Sequence, residues 1–230
     1  YNASTGSTSD SDFDATPDRN FFDYQVKFGS NKTSSPTVTS NENQDTVGNA
    51  AATHKYSYTL SYSKSGTDAG DFNIDNTTGA LTFATTPNYE TKSTYTVIVT
   101  ATDGINNATQ TITVNVTNVN ETPTFTSLAT FNVAENQTTV GTVNATDPDS
   151  GAVVTYSITG GADQNAFDID DSSGELTFIT APNFESPGSA ENSNEYEVIV
   201  NATDGTNNAT QTITVNVTNV NVVFSYSSLT

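Results

Sequence analysis

The sequence contains no cysteine, methionine or tryptophan, and only 6 lysines and arginines stand against 26 aspartates and glutamates. Without cysteine there are no disulfides and no thiolate metal ligands, a composition that fits an extracellular protein held together by other means. His54 is the single histidine, and neither a GxSxG elbow nor a glycine-rich phosphate loop occurs. The parts of a catalytic triad, a common metal-hydrolase site or a nucleotide enzyme are therefore missing, and no enzymatic activity is expected. A formal net charge of −20 repels phosphate backbones and anionic lipid, which argues against nucleic acid as a partner. Apolar runs such as Val97-Ile98-Val99 are a few residues long, far short of the roughly 20 needed to span a bilayer, so membrane insertion is not expected. What fills the chain is Thr, Ser and Asn, which suit sheet surfaces better than helices. The first residue is Tyr1, with no Met or apolar leader before it, which fits either a removed signal or a piece of a longer chain.

The chain repeats itself. ATDGINNATQTITVNVTNVN (Ala101 to Asn120) and ATDGTNNATQTITVNVTNVN (Ala202 to Asn221) agree at 19 of 20 positions. Asp71 to Glu90 matches Ala166 to Glu185, and Asn41 to Gly48 matches Ala134 to Gly141. The unit is about 100 residues, the size of a whole domain rather than a solenoid coil. Offsets of 93, 95 and 101 between the three blocks place a small insertion in the first repeat near Lys55–Gly70 and another in the second near Ser186–Asn194. Within each unit the apolar period is two: Tyr95, Val97, Val99 and Ala101 alternate with threonines, and Ile112, Val114 and Val116 alternate with Thr and Asn, as in half-buried strands. Phe72, Ile74, Leu81 and Phe83 flank Asn76-Thr77-Thr78-Gly79 as a hairpin, repeated by Phe167, Ile169, Gly174, Leu176 and Phe178. Short strands with regular turns predict an all-β protein of two tandem antiparallel Greek-key β-sandwiches.

The domain reading is a flexible arm over 1–20, a first repeat over 21–120 that includes an added strand at Phe22, Tyr24, Val26 and Phe28, a second repeat over 121–221, and an orphan strand over 222–230. Val222 to Thr230 aligns with Glu121 to Ala129 and reads as the first strand of a third repeat or as a donor strand.

Each unit resembles a cadherin repeat, in particular those of large prokaryotic surface proteins. The stretches that carry the resemblance are AENQTTVGTVNATDPDSG (Ala134 to Gly151), FDIDDSSGELTF (Phe167 to Phe178), APNFE (Ala181 to Glu185), VNATDG (Val200 to Gly205) and VTNVNETPTF (Val116 to Phe125). The resemblance extends over roughly 36–221. The resemblance implies Ig-like sandwiches with calcium at the junction of successive repeats. It also implies the ligands: Glu42, Asn88 and Glu90 from the first repeat, Asn118, Asn120 and Glu121 from the linker, and Asp147, Asp149 and Asp204 from the second repeat. Oxygen-only side chains at one hinge suit Ca²⁺, which takes 6–8 hard oxygen ligands. Departures reduce the charge, since Asn118 and Asn88 stand where the family usually has Asp, and Thr122 where it has Asn; one to three ions are expected. Affinity like that of extracellular modules would be about 10⁻⁴–10⁻³ M. Above repeat one, Ala51, Ala52, Thr53 and His54 replace the acidic pair, so no calcium is expected there, and His54 reads as a loop residue. Repeat two keeps Glu135, Asn183, Glu185, Asn219 and Asn221 at its far end, with Val222 in place of Glu121.

The function this implies is an extracellular, cell-surface structural or adhesion protein, its tandem repeats stiffened by calcium into a rod within an adhesin, filament or lattice. Its partners would be further copies of itself or further repeats of a parent chain, and a surface glycan or protein receptor. Two alternatives remain at the level of sequence. The 222–230 strand could join subunits into a fibre by β-augmentation without calcium, or the module could bind carbohydrate or protein, with Tyr1, Tyr58 and Tyr62 as the aromatics not assigned inward. Eleven Asn-x-Ser/Thr sequons fit a glycoprotein, although composition alone would give about 8.

Overall fold

The computed structural model describes residues 26–29 and 35–221. The arm at 1–20, the aromatics Phe22 and Tyr24, and the 222–230 strand lie outside the described residues. The chain divides into two compact units, Tyr1–Val119 and Asn120–Thr230. Apart from two single-turn 3-10 helices, Ala69–Asp71 and Gln164–Ala166, the regular structure of the described residues is β.

Unit 1 contains β1 (Val26–Phe28), β2 (Thr37–Asn41), β3 (Thr46–Asn49), β4 (Ala52–His54), β5 (Ser61–Ser65), β6 (Phe72–Ile74), β7 (Ala80–Phe83), β8 (Thr94–Thr102) and β9 (Asn107–Thr117). The strands form a four-stranded sheet in the order β2-β9-β8-β5, a three-stranded sheet β3-β7-β6 and the pair β1-β4. The alternation read from the sequence decides which residues go inward. Tyr95, Val97, Val99 and Ala101 of β8 and Ile112, Val114 and Val116 of β9 are buried, while the threonines between them are not. They meet Leu81, Phe83 and Phe72 from the three-stranded sheet in one core. Each fully buried Val or Leu contributes about 1.5–3 kcal/mol relative to exposure. Phe72 stacks on Phe83 at 4.9 Å, and both set edges against Tyr95. The pairing is antiparallel except at β2, which runs parallel to β9 with Val38 opposite Val114.

Unit 2 repeats this with β10 (Thr124–Phe125), β11 (Thr130–Ala134), β12 (Thr139–Thr142), β13 (Ala145–Thr146), β14 (Thr155–Gly160), β15 (Phe167–Ile169), β16 (Glu175–Phe178), β17 (Glu195–Thr203) and β18 (Asn208–Thr218). The orders are β11-β18-β17-β14, β12-β16-β15 and β10-β13, and β11 is parallel to β18. Phe167, Phe178 and Tyr196 rebuild the aromatic cluster. The hairpin between β15 and β16 turns on Asp170, whose Oδ1 accepts the amides of Ser172 and Ser173 and both their hydroxyls. These donors favour the charged carboxylate and hold its pKa down at about 2. Gly174 follows at φ +69°, and a Cβ there would lie 2.1 Å from the Val143 carbonyl oxygen, so only glycine fits.

The hydrogen bonds correct the expected site of the first insertion. Ala52 aligns with Ala145, Tyr62 with Tyr156 and Asp75 with Asp170, because each makes the same bonds as its counterpart. The spacing grows along this stretch, so the extra residues belong to unit 2, between β13 and β15, and not to unit 1.

Candidate metal centre

Five of the predicted ligands converge within unit 2. β13 leads into Asp147-Pro148-Asp149, and the strand is fixed from the core by the Tyr156 hydroxyl, which accepts the Ala145 amide at 2.8 Å. The turn closes on itself, since the Asp149 amide donates to Asp147 Oδ1 at 2.9 Å. Asp149 Oδ2 accepts the Glu121 amide at 2.9 Å, which brings the start of the unit to the turn. Asp204, in the loop between β17 and β18, accepts the amides of Thr206 and Asn207 on Oδ1 at 2.6 and 2.7 Å and the Asn120 side-chain amide on Oδ2 at 2.6 Å. Those donors, the Asn207 amide foremost, lower the Asp204 pKa. Asn207 was missed by the sequence reading, yet its side-chain amide ties the carbonyl oxygens of Asn120 and Glu121 at 2.9 Å each. Its only sequence signal is the Asn-Asn pair after Asp-Gly, present in both repeats.

The chemistry of this end is one-sided. Glu121, Asp147, Asp149 and Asp204 place four carboxylates on neighbouring segments, and Asp147 Oδ2 is buried with no hydrogen-bond partner. Residues 120–230 hold fourteen Asp and Glu and no Lys, Arg or His, so unit 2 has no side-chain cation to neutralise them. A buried carboxylate oxygen without a donor is costly unless a cation meets it. A hard divalent cation takes carboxylate and carbonyl oxygens alike, and the donor set here fits Ca²⁺.

The other four predicted residues lie in unit 1. Glu42 is 1% exposed. Its carboxylate accepts the Tyr89 amide at 2.9 Å and the Val119 amide at 2.7 Å. It thereby fixes the segments that carry Asn88, Glu90 and Asn118. Asn88 turns its own oxygen to the Thr91 amide at 2.7 Å, while Glu90 and Asn118 are exposed. Glu135, the counterpart of Glu42 in unit 2, accepts the amides of Phe184 and Val220, which lower its pKa. Glu185 accepts the Asn219 amide at 2.6 Å.

His54 is not a loop residue. It closes β4 and stands where Asp147 stands in unit 2, with the same turn bond: the Tyr56 amide donates to His54 Nδ1 at 3.0 Å, as the Asp149 amide does to Asp147. With Nδ1 accepting, Nε2 carries the proton and donates to Asp103 Oδ2 at 3.0 Å. Asp103, the counterpart of Asp204, also accepts from Asn106 and Ile105, and its pKa is lowered chiefly by the Asn106 bonds. Unit 1 therefore supplies from its own side chain a donor where unit 2 has another acid.

Residues 34–117 and 129–219 match the family described as the Cadherin domain. The chain belongs to the cadherin family. Its cadherin repeats are 34% identical to Protocadherin Fat 2 of Rattus norvegicus over 153 residues, 63% of this chain and 3% of that protein. Protocadherin-15 of Homo sapiens is 34% identical over 167 residues, 68% and 8%. Halomucin of Haloquadratum walsbyi is 42% identical over 73 residues, 30% and 1%. The chain thus spans a small fraction of each of these relatives. Among solved structures, human Protocadherin-24 EC1-2 Form II shares the fold with a TM-score of 0.61 at 21% identity, covering 86% of this chain and all of that one. Mouse Cadherin-23 EC22-24 shares it with a TM-score of 0.53 at 24% identity, covering 86% and 66%. Cadherin domains are extracellular, non-catalytic adhesion modules that typically depend on calcium. No helix of the described residues is long and apolar enough to cross a membrane.

Proposed function

We propose that this chain is a calcium-binding structural module of a surface adhesin, filament or lattice, with its repeats bounded at 21–120 and 121–221. Asp147, Asp149, Asp204, Glu121 and Asn120 would form the unit 2 part of the calcium site. Glu42, Asn88, Glu90 and Asn118 would complete it as the family resemblance implies. One observation carries the reading: Asp147 Oδ2 is buried and unpartnered in a unit without a single cationic side chain. Without calcium these carboxylates repel one another; with it the segments they sit on are cross-linked, and the tandem repeats stiffen into a rod. The test is thermal unfolding and small-angle scattering of the full chain in EDTA and in millimolar calcium. A higher melting temperature and a longer, stiffer particle in calcium support the proposal. Identical curves up to about 10 mM, ten times the weak end of extracellular affinities, contradict it. The carbohydrate alternative loses one of its residues, since Tyr62 is buried with its hydroxyl on the Ala52 amide.

A further inference from the structure

The two units are near copies, so the places where unit 1 departs from unit 2 show what the fold does not require. One group of these departures surrounds the His54–Asp103 pair. The single difference in the twenty-residue block shared by both repeats is Ile105 against Thr206, and Ile105 is 91% exposed on the loop whose Asp103 holds His54. Tyr56 stands in the place of Asp149 and is 58% exposed; Tyr58, 64% exposed, sits where unit 2 runs Ser150-Gly151-Ala152. Both tyrosines pack around the imidazole, Tyr58 edge-on with ring centres 4.8 Å apart and Tyr56 at 6.0 Å. Unit 2 keeps one exposed aliphatic, Val153, in the corresponding loop and no aromatic. Three large apolar side chains held in water around a buried polar pair are the composition of a contact surface.

Charge says what the surface meets. Lys27 and Lys55 flank the patch and, with Thr53 and His54, line a shallow pocket of about 360 Å³. They are two of the six cationic residues in a chain that otherwise presents acid, and Lys55 replaces the Pro148 of unit 2. Unit 2, by contrast, is acidic throughout, with Glu185, Glu191 and Glu195 exposed.

We propose that the Tyr56–Tyr58–Ile105 surface of unit 1 is a metal-independent docking site for unit 2 of a second copy of this chain, the lysines pairing with its carboxylates. The contact needs no calcium, so it goes beyond the calcium reading and stands or falls apart from it. A patch this small belongs with weak interfaces of under about 1,200 Å², strengthened when many copies are held side by side.

Sedimentation velocity of the full chain in EDTA, from micromolar to millimolar, tests this against a Tyr56→Asp/Tyr58→Gly/Ile105→Thr variant and a Lys27→Gln/Lys55→Gln variant. The triple variant carries residues found at the corresponding positions of unit 2, and Ile105→Thr alone serves if it fails to fold. The expected result is wild-type association that rises with concentration and weakens as salt is raised. The apolar variant should associate at least about tenfold more weakly, and the lysine variant should lose the salt dependence. A wild-type chain that stays monomeric throughout overturns the proposal, whichever other occupant, a saccharide or the chain's own residues 1–25, proves to cover the patch. Unchanged association of the apolar variant overturns it equally.

Discussion

Replacing Tyr156 by Phe removes one oxygen and nothing else from a side chain that is 8% exposed. The loss is the 2.8 Å bond that ties the Ala145 amide, and with it the Asp147-Pro148-Asp149 turn, to the core. A neutral hydrogen bond is worth about 0.5–1.5 kcal/mol net, and a half-buried amide left without a partner adds part of its desolvation cost, so the expected destabilisation is about 1–2 kcal/mol. For a unit of this size that lowers its melting temperature by about 5–10 °C. Unit 1 supplies a built-in control, because Tyr62 makes the same bond to Ala52 at 3.0 Å above a turn that carries His54 and Tyr56 instead of two acids. Tyr62→Phe should destabilise unit 1 by a similar amount. Only Tyr156→Phe should also weaken calcium binding, since it loosens ligands and not only a strand. Calorimetric unfolding of both variants with and without calcium gives both quantities. Equal calcium responses in the two variants, or a Tyr156→Phe protein as stable as wild type, would refute the reasoning.

Gly174→Ala should cost at least about 2 kcal/mol, because it adds left-handed backbone strain to an impossible approach to the Val143 carbonyl; Gly205→Ala, at φ +95° with open space around it, should cost the strain alone, and denaturant unfolding separates the two. Asp75, Asp103, Asp170, Asp204 and Glu135 all have pKa values lowered in the fold, so the stability they contribute is present above the unfolded values near 4 and is lost as pH falls toward the folded ones, about 2 for Asp170. Melting temperature in EDTA should accordingly drop between about pH 4 and 2, and a flat profile there would show that the turn bonds are not made. Expressed in a host with N-glycosylation, the chain should leave Asn201 unmodified, since it is 9% exposed with its amide on Asn208, whereas Asn76, Asn107, Asn136, Asn144 and Asn208 are exposed; glycopeptide mapping decides.

How far the sequence could be read depended on whether a residue's role is local. The alternation of Tyr95, Val97 and Val99 with threonine requires nothing beyond the strand itself, so strand faces and the duplicated core were legible. The parallel placement of β2 on β9 was not, because a period of two tells which face is buried and says nothing of the neighbour's direction. The acids of the candidate site were legible as types, but their division of labour was not. Glu42 reads as a ligand, yet both its oxygens accept backbone amides and hold two segments in place. Asn207 was not singled out at all, yet it orders the carbonyls of Asn120 and Glu121. His54 was visible as a departure from the acidic pattern; only the shared turn bond to Tyr56 reveals that it occupies the place of Asp147 and answers Asp103 with a proton.

Isothermal titration of calcium into the wild-type chain and into an Asp147→Asn/Asp149→Asn variant bears most directly on the central claim. The account predicts saturable binding of one to three ions in the wild type, with affinity of about 10⁻⁴–10⁻³ M, and its loss in a variant that remains folded. Wild-type binding that survives the substitutions unchanged, or no binding up to about 10 mM, would contradict the assignment of these carboxylates to calcium.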